Sequence, residues 1–452
     1  MKPRRTFSDQ RRFLPWLLVV MLGLTLIPGL ATAQNQTTSG TIAVRDDGLT
    51  TIVNGSGAES EVQYLTLLIK TGYSQDPAAK AGLTDLTNIL VYRILQMATL
   101  LDFNYFLAAD YSRFDFAVPN NDFTAFCRQL DAVIRIEALL SYDECNILLK
   151  NYRNLPRNPS EVGLAKLYTM IDGAGHPYTK IFDNYMSNLD ITDANNWFRR
   201  IYRPSNLIIS STAPLPDDFL LRPSGREMKQ VITKSPVPAA TCSPNPLVEI
   251  TTVHNSTASV FIGLPAPALT DPDLATSLLV QQYLAWELWN KLREQAGYCY
   301  DVSVFHSYLT EPVAPILLIE FETLPGNAGP AIGQVISVLQ GIAKNGIPEA
   351  ELTSLKQAVE KQAKRIGDSR RTATQNLALQ AFFNQTWLSD YDAYSKLLAG
   401  VTSADTARLI RTKLGSIKLS LTGPEETQQA LVQLQPMLQK ITTGLEPGKT
   451  GK

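Results

Sequence analysis

Two rhythms of apolar and polar positions run along this chain, and the pair of them occurs twice. In the first half TIAVRDDGLTTIV, from Thr41, reads as a hairpin, and YLTLLIKTG, from Tyr64, as a buried strand. NYFLAAD, from Asn104, is a short strand-like apolar run, and YSRFDFAVP, from Tyr111, reads as a further strand, because Phe114, Phe116 and Val118 recur at every second place. GLTDLTNILVYRIL, Gly82 to Leu95, and DFTAFCRQLDAVIRIEALL, from Asp122, carry helical spacing instead. In the second half ASVFIGLP, YDVSVFHSYL and APILLIEFETL predict strands, and PEAELTSLKQAVEKQAKRI predicts a helix opened by Pro348 after Asn345-Gly346. Strands in succession followed by helices predict an α+β fold with mostly antiparallel sheets.

The halves also match each other. ITDANNWFRRIYRPSNLIISSTAP, from Ile191, lies without gaps on VTSADTARLIRTKLGSIKLSLTGP, from Val401, placing Thr192 on Thr402, Ser210 on Ser420 and Pro214 on Pro424. Each copy predicts a threonine N-cap, a helix, a short turn and an apolar strand. Between the copies seven prolines fall from Pro214 to Pro246, a density that disfavours helix and central strand. The predicted organisation is two homologous domains, 40–215 and 247–430, facing across a cleft and joined by a linker over 216–246, with an unstructured tail over 442–452.

The first residues change the expected compartment. Lys2, Arg4, Arg5, Arg11 and Arg12 precede an apolar run and the Ala31-Thr32-Ala33 pattern, the grammar of a signal peptide over residues 1–33. An uncleaved anchor is the rival, disfavoured by Pro15 and Pro28. Without residues 1–33 the chain loses five of its 41 Lys and Arg and one of its 42 Asp and Glu, so its net charge moves from −1 to −5. No basic run with interleaved aromatics suggests a nucleic-acid partner, and no later stretch suggests a membrane span. A periplasmic or secreted protein is expected. Cys127, Cys145, Cys242 and Cys299 could there form disulfides or remain buried thiols.

Asp85 and Asn88 sit three apart near the start of an otherwise apolar helix, hence on one face with Ile89 beside them. Around them LIKTGYSQDPAAKAGLTDL, HPYTK from His176, YRPSNLIIS from Tyr202, LREQAGYCY and GVTSADTARLI, in that order and spacing, resemble the insulinase and pitrilysin type of inverzincin peptidases. The nearest kind is the shorter, two-subunit one related to mitochondrial processing peptidase. Such peptidases bind zinc through the two histidines of H-x-x-E-H and activate water with its glutamate, a later glutamate completing the metal site. Laid on this chain, the motif falls on Asp85, Asn88 and Ile89. Isoleucine cannot ligate, an amide is too weak a base, and one carboxylate does not hold zinc. No carboxylate follows Glu144 in SYDECNILLKNYRNL until Glu161, and His176, His254 and His306 are scattered. The segment after Leu90 is also about ten residues shorter than the resemblance implies. No metal, cofactor or catalytic residue is therefore expected, and Asp85 and Asn88 read as polar residues satisfied by water or neighbouring backbone.

The second half keeps one pattern. The resemblance implies that R-x-x-x-G-x-x-Y belongs to the partner without zinc and reaches the substrate beside the metal; here it is Arg293, Gly297 and Tyr300. A guanidinium at a helix end and a phenol on the next strand can both donate to a peptide carbonyl. Equally, Arg293 can be a helix-end cation and Tyr300 a core aromatic. The glycine-rich stretch implied just before this pattern is replaced by QQYLAWELWNKL. The function expected is that of a non-catalytic subunit completing the peptide chamber of a zinc-bearing homologue. The alternative is a peptide-binding or scaffold protein that has left proteolysis.

Overall fold

The computed structural model describes residues 41–444 except 56–59, 78, 100, 102, 137–138, 140–141, 154–158, 174–185, 220–246 and 307–314. The first half contains β1 (Thr41–Val44), β2 (Thr50–Val53), β3 (Val62–Ile69), α1 (Leu83–Thr99), β4 (Phe103–Leu107), β5 (Ser112–Pro119), α2 (Phe123–Ile134), α3 (Tyr142–Arg153), α4 (Pro159–Asp172), α5 (Ile191–Ile201) and β6 (Leu207–Ser211). The second contains β7 (Leu247–Thr252), β8 (Ala258–Pro265), α6 (Leu274–Leu288), β9 (Cys299–His306), β10 (Ile316–Thr323), α7 (Ala328–Asn345), α8 (Glu349–Asp368), α9 (Arg370–Phe383), α10 (Tyr391–Ala399), α11 (Ser403–Leu414), β11 (Lys418–Gly423) and α12 (Gln429–Gly444).

The strands form two sheets, ordered β1-β2-β6-β3-β5-β4 and β7-β11-β8-β10-β9. Removing the outer strand β1 makes the two orders identical. The repeat is therefore visible in topology as well as in sequence: β6 runs parallel to β2 and antiparallel to β3, as β11 does to β7 and β8. One face of each sheet carries its own half's helices. Leu83, Leu86 and Leu90 of α1 share a core with Leu65, Leu67 and Ile69, while α6 and α7 cover the corresponding face of the second sheet.

The opposite faces are covered by exchange. Leu164, Leu167, Tyr168 and Ile171 of α4, from the first half, pack on Phe261, Ile316 and Leu318 of the second sheet. In return Leu377, Ala378 and Leu379 of α9 pack on Ile52, Leu68, Tyr111 and Ile208 of the first. Each half thus supplies apolar surface that the other needs to bury.

Several local expectations shift. The N-cap of α5 is Asp190, in a reciprocal capping box with Asp193, not Thr192; in the second copy Thr402 caps α11 with Asp405, as expected. A carboxylate two residues upstream accepts the Asp193 N–H and so starts the helix before Thr192. Helix α2 ends at Ile134, before the end of its apolar pattern. Phe219 is buried in the first core and its carbonyl accepts from Arg45 Nη1 at 2.7 Å, so packed chain reaches past 215. Helix α12 continues to Gly444, three residues into the segment expected to be unstructured. Cys127, Cys145 and Cys299 are buried thiols; Cys242 and His176 lie outside the described residues.

Candidate functional site

The start of α1 is fixed by a side chain rather than by its own first residue. The Asp76 carboxylate accepts from Gly82 N and Thr84 N, each at 2.8 Å, and from Thr84 Oγ at 2.6 Å. Gly82 has φ of +86°, the left-handed region that favours glycine, and turns the chain into the helix. Trp197 Nε1, from α5, donates to Thr84 Oγ at 3.0 Å and locks the two helices together. This fixes the azimuth of α1 and therefore where Asp85 and Asn88 point.

Both are buried, Asp85 at 2% exposure and Asn88 at 0%. Side chains bond to both, where the sequence led us to expect water or backbone. Tyr105 Oη donates to Asp85 Oδ1 at 3.0 Å, Asn88 Nδ2 donates to Ser112 Oγ at 2.9 Å, and Tyr202 Oη donates to Asn88 Oδ1 at 2.7 Å. The Ser112 hydroxyl in turn donates to the Thr71 carbonyl at 3.0 Å. Burial first, then the Asp85 charge, pushes the Tyr105 phenol well up, and burial does the same for Tyr202; both remain donors. Such a closed network holds its members in one arrangement and leaves Asn88 no basic atom to offer water.

Zinc does not fit these residues. Asp85 is a single carboxylate whose Oδ1 accepts from a phenol, Asn88 is committed on both its oxygen and its nitrogen, and Ile89 is a hydrocarbon packed against the first core. Among the described residues no group of three or more His, Cys, Asp or Glu is arranged to hold a metal. His254 is exposed and His306 buried at the end of β9, on different elements. Helix α1 passes to β4 across only three residues, with no intervening helix. Sequence reasoning missed Tyr105, Ser112 and Tyr202 as the partners. Tyr105 and Ser112 lie on neighbouring antiparallel strands, β4 and β5, and pairing of that kind is invisible without a register.

The second-half pattern has a different character. Helix α6 continues into a π-helical turn, Trp289–Gln295, a rare form that concentrates at functional positions. Tyr298 N donates to Leu292 O at 2.7 Å and Gly297 N to Arg293 O at 3.1 Å; Gly297 then adopts φ of +62° and the chain turns into β9. The structure brings Arg293 and Tyr300 together. The guanidinium carbon of Arg293 lies 4.7 Å from the Tyr300 ring centroid and 5.2 Å from that of Trp289. Tyr300 is 82% exposed, so it is no core aromatic. Trp289, absent from the sequence-based site, is the other face of the sandwich; its place one turn before Arg293 was the available signal.

Residues 188–359, from α5 to α8 and including Arg293 and Tyr300, match the family model described as the peptidase M16 inactive domain. Resemblance to the insulinase-type peptidases, in their inactive form, is thereby shown. No curated protein matches in sequence. Solved structures that share the fold include a protease from Helicobacter pylori, 14% identical, with a TM-score of 0.71 over 86% of this chain and 100% of that one. A peptidase M16 inactive domain from Pseudomonas fluorescens is 15% identical, TM-score 0.68, over 85% of this chain and 98% of that one. The periplasmic protease PqqL from Escherichia coli is 16% identical, TM-score 0.63; the match takes in 90% of this chain and 49% of PqqL, so this chain spans about half the length of that protein. No helix among the described residues is long and apolar enough to cross a membrane.

Proposed function

We propose that this chain is the non-catalytic subunit of an extracytoplasmic zinc peptidase, completing the peptide chamber of a zinc-bearing homologue. The observation that carries the reading is a contrast between the two halves. At the degenerate motif the polar side chains are buried and bonded to one another, whereas Tyr300 stands exposed and Arg293 half-exposed, stacked between Trp289 and Tyr300 and 3.5 Å from the Glu294 carboxylate. Residues kept only for packing would be expected to show the first pattern in both places.

In this mechanism the homologue supplies metal and base. This chain supplies half of the wall, with the Arg293 guanidinium and the Tyr300 hydroxyl as directed donors to a peptide carbonyl. The π-turn and Gly297 set their position, and Trp289 stiffens the arginine. The likeness to half of PqqL supports a second, homologous half, and PqqL's periplasmic location fits the signal-like residues 1–33.

The test is co-purification from the native host, followed by peptidase assay of each chain and of the mixture. Activity in the mixture alone, lost on Arg293→Ala or Tyr300→Phe, supports the reading. Unchanged turnover in these variants favours a scaffold role, and chelator-sensitive cleavage by the purified chain alone would overturn both.

A further inference from the structure

The two exchanged helices are held unequally. On the α9 face of the first sheet the buried charges match each other: Arg113 Nε lies 2.9 Å from Asp115 Oδ2, and Thr66 Oγ donates to Asp115 Oδ1 at 2.9 Å. The Arg113 guanidinium also lies over the Phe106 ring, 5.3 Å from its centroid. Tyr111 then packs on Phe382 and Phe383 of α9, with centroids 5.3 and 6.0 Å apart. Charge beneath this helix is neutralised in place.

The α4 seam is built differently. Two glycines let the helix sink onto the second sheet: a Cβ on Gly163 would meet Thr422 Oγ at 2.4 Å and the Phe261 ring at 2.7 Å, and one on Gly263 would meet Ile171 Cδ1 at 2.8 Å. The early turns of α4 carry polar contacts across the seam, with Lys166 Nζ 2.8 Å from Glu249 Oε1 and Ser160 Oγ 3.1 Å from Ser259 Oγ. At the far end stands Asp172, 3% exposed, and among the described residues neither of its oxygens has a hydrogen-bond partner. The hydroxyls of Ser420 and Thr422 share that lack, but so does Ser210 in the first sheet, so Asp172 is what distinguishes the two seams.

Its position makes a negative charge unwelcome. A carboxylate in the last turn meets the negative end of the helix dipole, and Gly173, at φ of +94°, ends the helix immediately after it. The titratable groups around it offer no relief: the phenol of Tyr168 on its own helix and that of Tyr73 from the first half stand in its field, Asp110 acts on Tyr73, and Glu320 of β10 acts on Tyr168. Lys418 of β11, on the α4 side of the second sheet, donates to the Ser416 carbonyl at 3.0 Å. Among the described residues no Lys, Arg or His forms an ion pair with Asp172.

We infer that α4 is a pH-sensitive latch between the halves: with Asp172 neutral the helix lies seated on the second sheet, and with Asp172 ionised it lifts, while α9 stays in place as the pivot. Lifting gives the carboxylate the water that the seam denies it. The sense follows from burial, which raises the seated carboxyl from 3.8 to about 7. A released Asp172 loses its proton near pH 4 and a seated one near pH 7, so the hold weakens as pH rises between those values and levels off above them. The latch stands independently of the peptide-chamber reading.

Hydrogen exchange of the full chain, followed by mass spectrometry and corrected for the intrinsic rate at each pH, reads the two helices separately. From about pH 5 to about pH 8 the protection of residues 159–172 should fall by about tenfold to a hundredfold, while that of residues 370–383 holds. Asp172→Asn should leave residues 159–172 almost equally protected at both. Gly163→Ala wedges the seam without touching the carboxyl, so it should lower protection at both pH values and keep the difference between them. The latch is overturned by protection of residues 159–172 that ignores pH, by a loss shared equally with residues 370–383, or by a pH difference of undiminished size in Asp172→Asn. The first two outcomes are read on the unaltered chain and do not depend on whether a variant folds.

Discussion

The Tyr202 phenol donates to the Asn88 amide oxygen across 2.7 Å, from the residue that ends α5 to the helix where an insulinase-type peptidase carries its base. Asn88 is fully buried, so removing that donor strands an acceptor out of reach of water. Tyr202→Phe is expected to destabilise the chain by about 1–3 kcal/mol, read as a lower urea midpoint at unchanged slope. Peptidase activity of the mixture with the homologue should survive at temperatures where the variant is folded, because the network is architectural.

Tyr300 is expected to behave in the opposite way. With 82% of its surface exposed, Tyr300→Ala removes little packing and should change stability by less than about 0.5 kcal/mol. Turnover by the mixture should nevertheless fall, and Trp289→Ala should give a smaller fall by loosening Arg293. A large drop in melting temperature for Tyr300→Ala would return the residue to a core role.

Much of the architecture could be read in the sequence, and the reasons for success and failure are physical. Alternation located β3, β5, β8 and β10 because each has a face against a core. The repeat from Ile191 and Val401 foretold two sheets of one topology because helix α5 or α11 followed by β6 or β11 is a contiguous unit. The exchange of α4 and α9 was illegible, since the partner face of an amphipathic helix is chosen by tertiary contact, not by its own period. At the site, Asp85, Asn88 and Ile89 showed in the sequence that ligand and base types are missing from the motif positions, but not that Tyr105 and Tyr202 bond to Asp85 and Asn88, because those pairings join distant positions in the chain. The proximity of Arg293 and Tyr300 was implied by their short spacing; the exposure that separates donor from core aromatic came only with the fold.

The helix exchange makes the halves interdependent. A fragment ending near Phe219 would leave Ile52, Leu68, Tyr111 and Ile208 without Leu377, Ala378 and Leu379 against them. A fragment beginning near Leu247 would expose Phe261, Ile316 and Leu318. Each is expected to aggregate or bind a hydrophobic dye when made alone, and the two made together should assemble into a particle of the intact chain's size. Independent, cooperative unfolding of either fragment would show that the exchanged helices are dispensable.

Asp172 should give the chain an unusual pH dependence. It lies at the end of α4, beside the apolar seam formed by Ile171, Tyr168 and the second sheet, and among the described residues neither oxygen has a hydrogen-bond partner. Burial pushes its carboxyl from 3.8 up to about 7, and Tyr73, from the first half, stands in its field together with Asp110. In the unfolded chain the proton leaves near pH 4; in the native chain it stays until about pH 7. The native state therefore binds more protons across that window, and the contribution to stability falls as pH rises from about 4 to about 7, then levels off, by about 4 kcal/mol at most. Glu320, also raised to about 7, adds to the same slope. Asp273 and Asp405, held low by hydrogen bonds from Arg408 and Thr402 respectively, act in the opposite sense, but only as pH falls below about 4. Asp172→Asn keeps the shape and removes the charge. Urea midpoints measured from about pH 5 to about pH 8 should then show a flatter decline, with the variant gaining on the parent most at the alkaline end. Parallel curves for the two proteins would mean that Asp172 finds a counter-charge in the native chain.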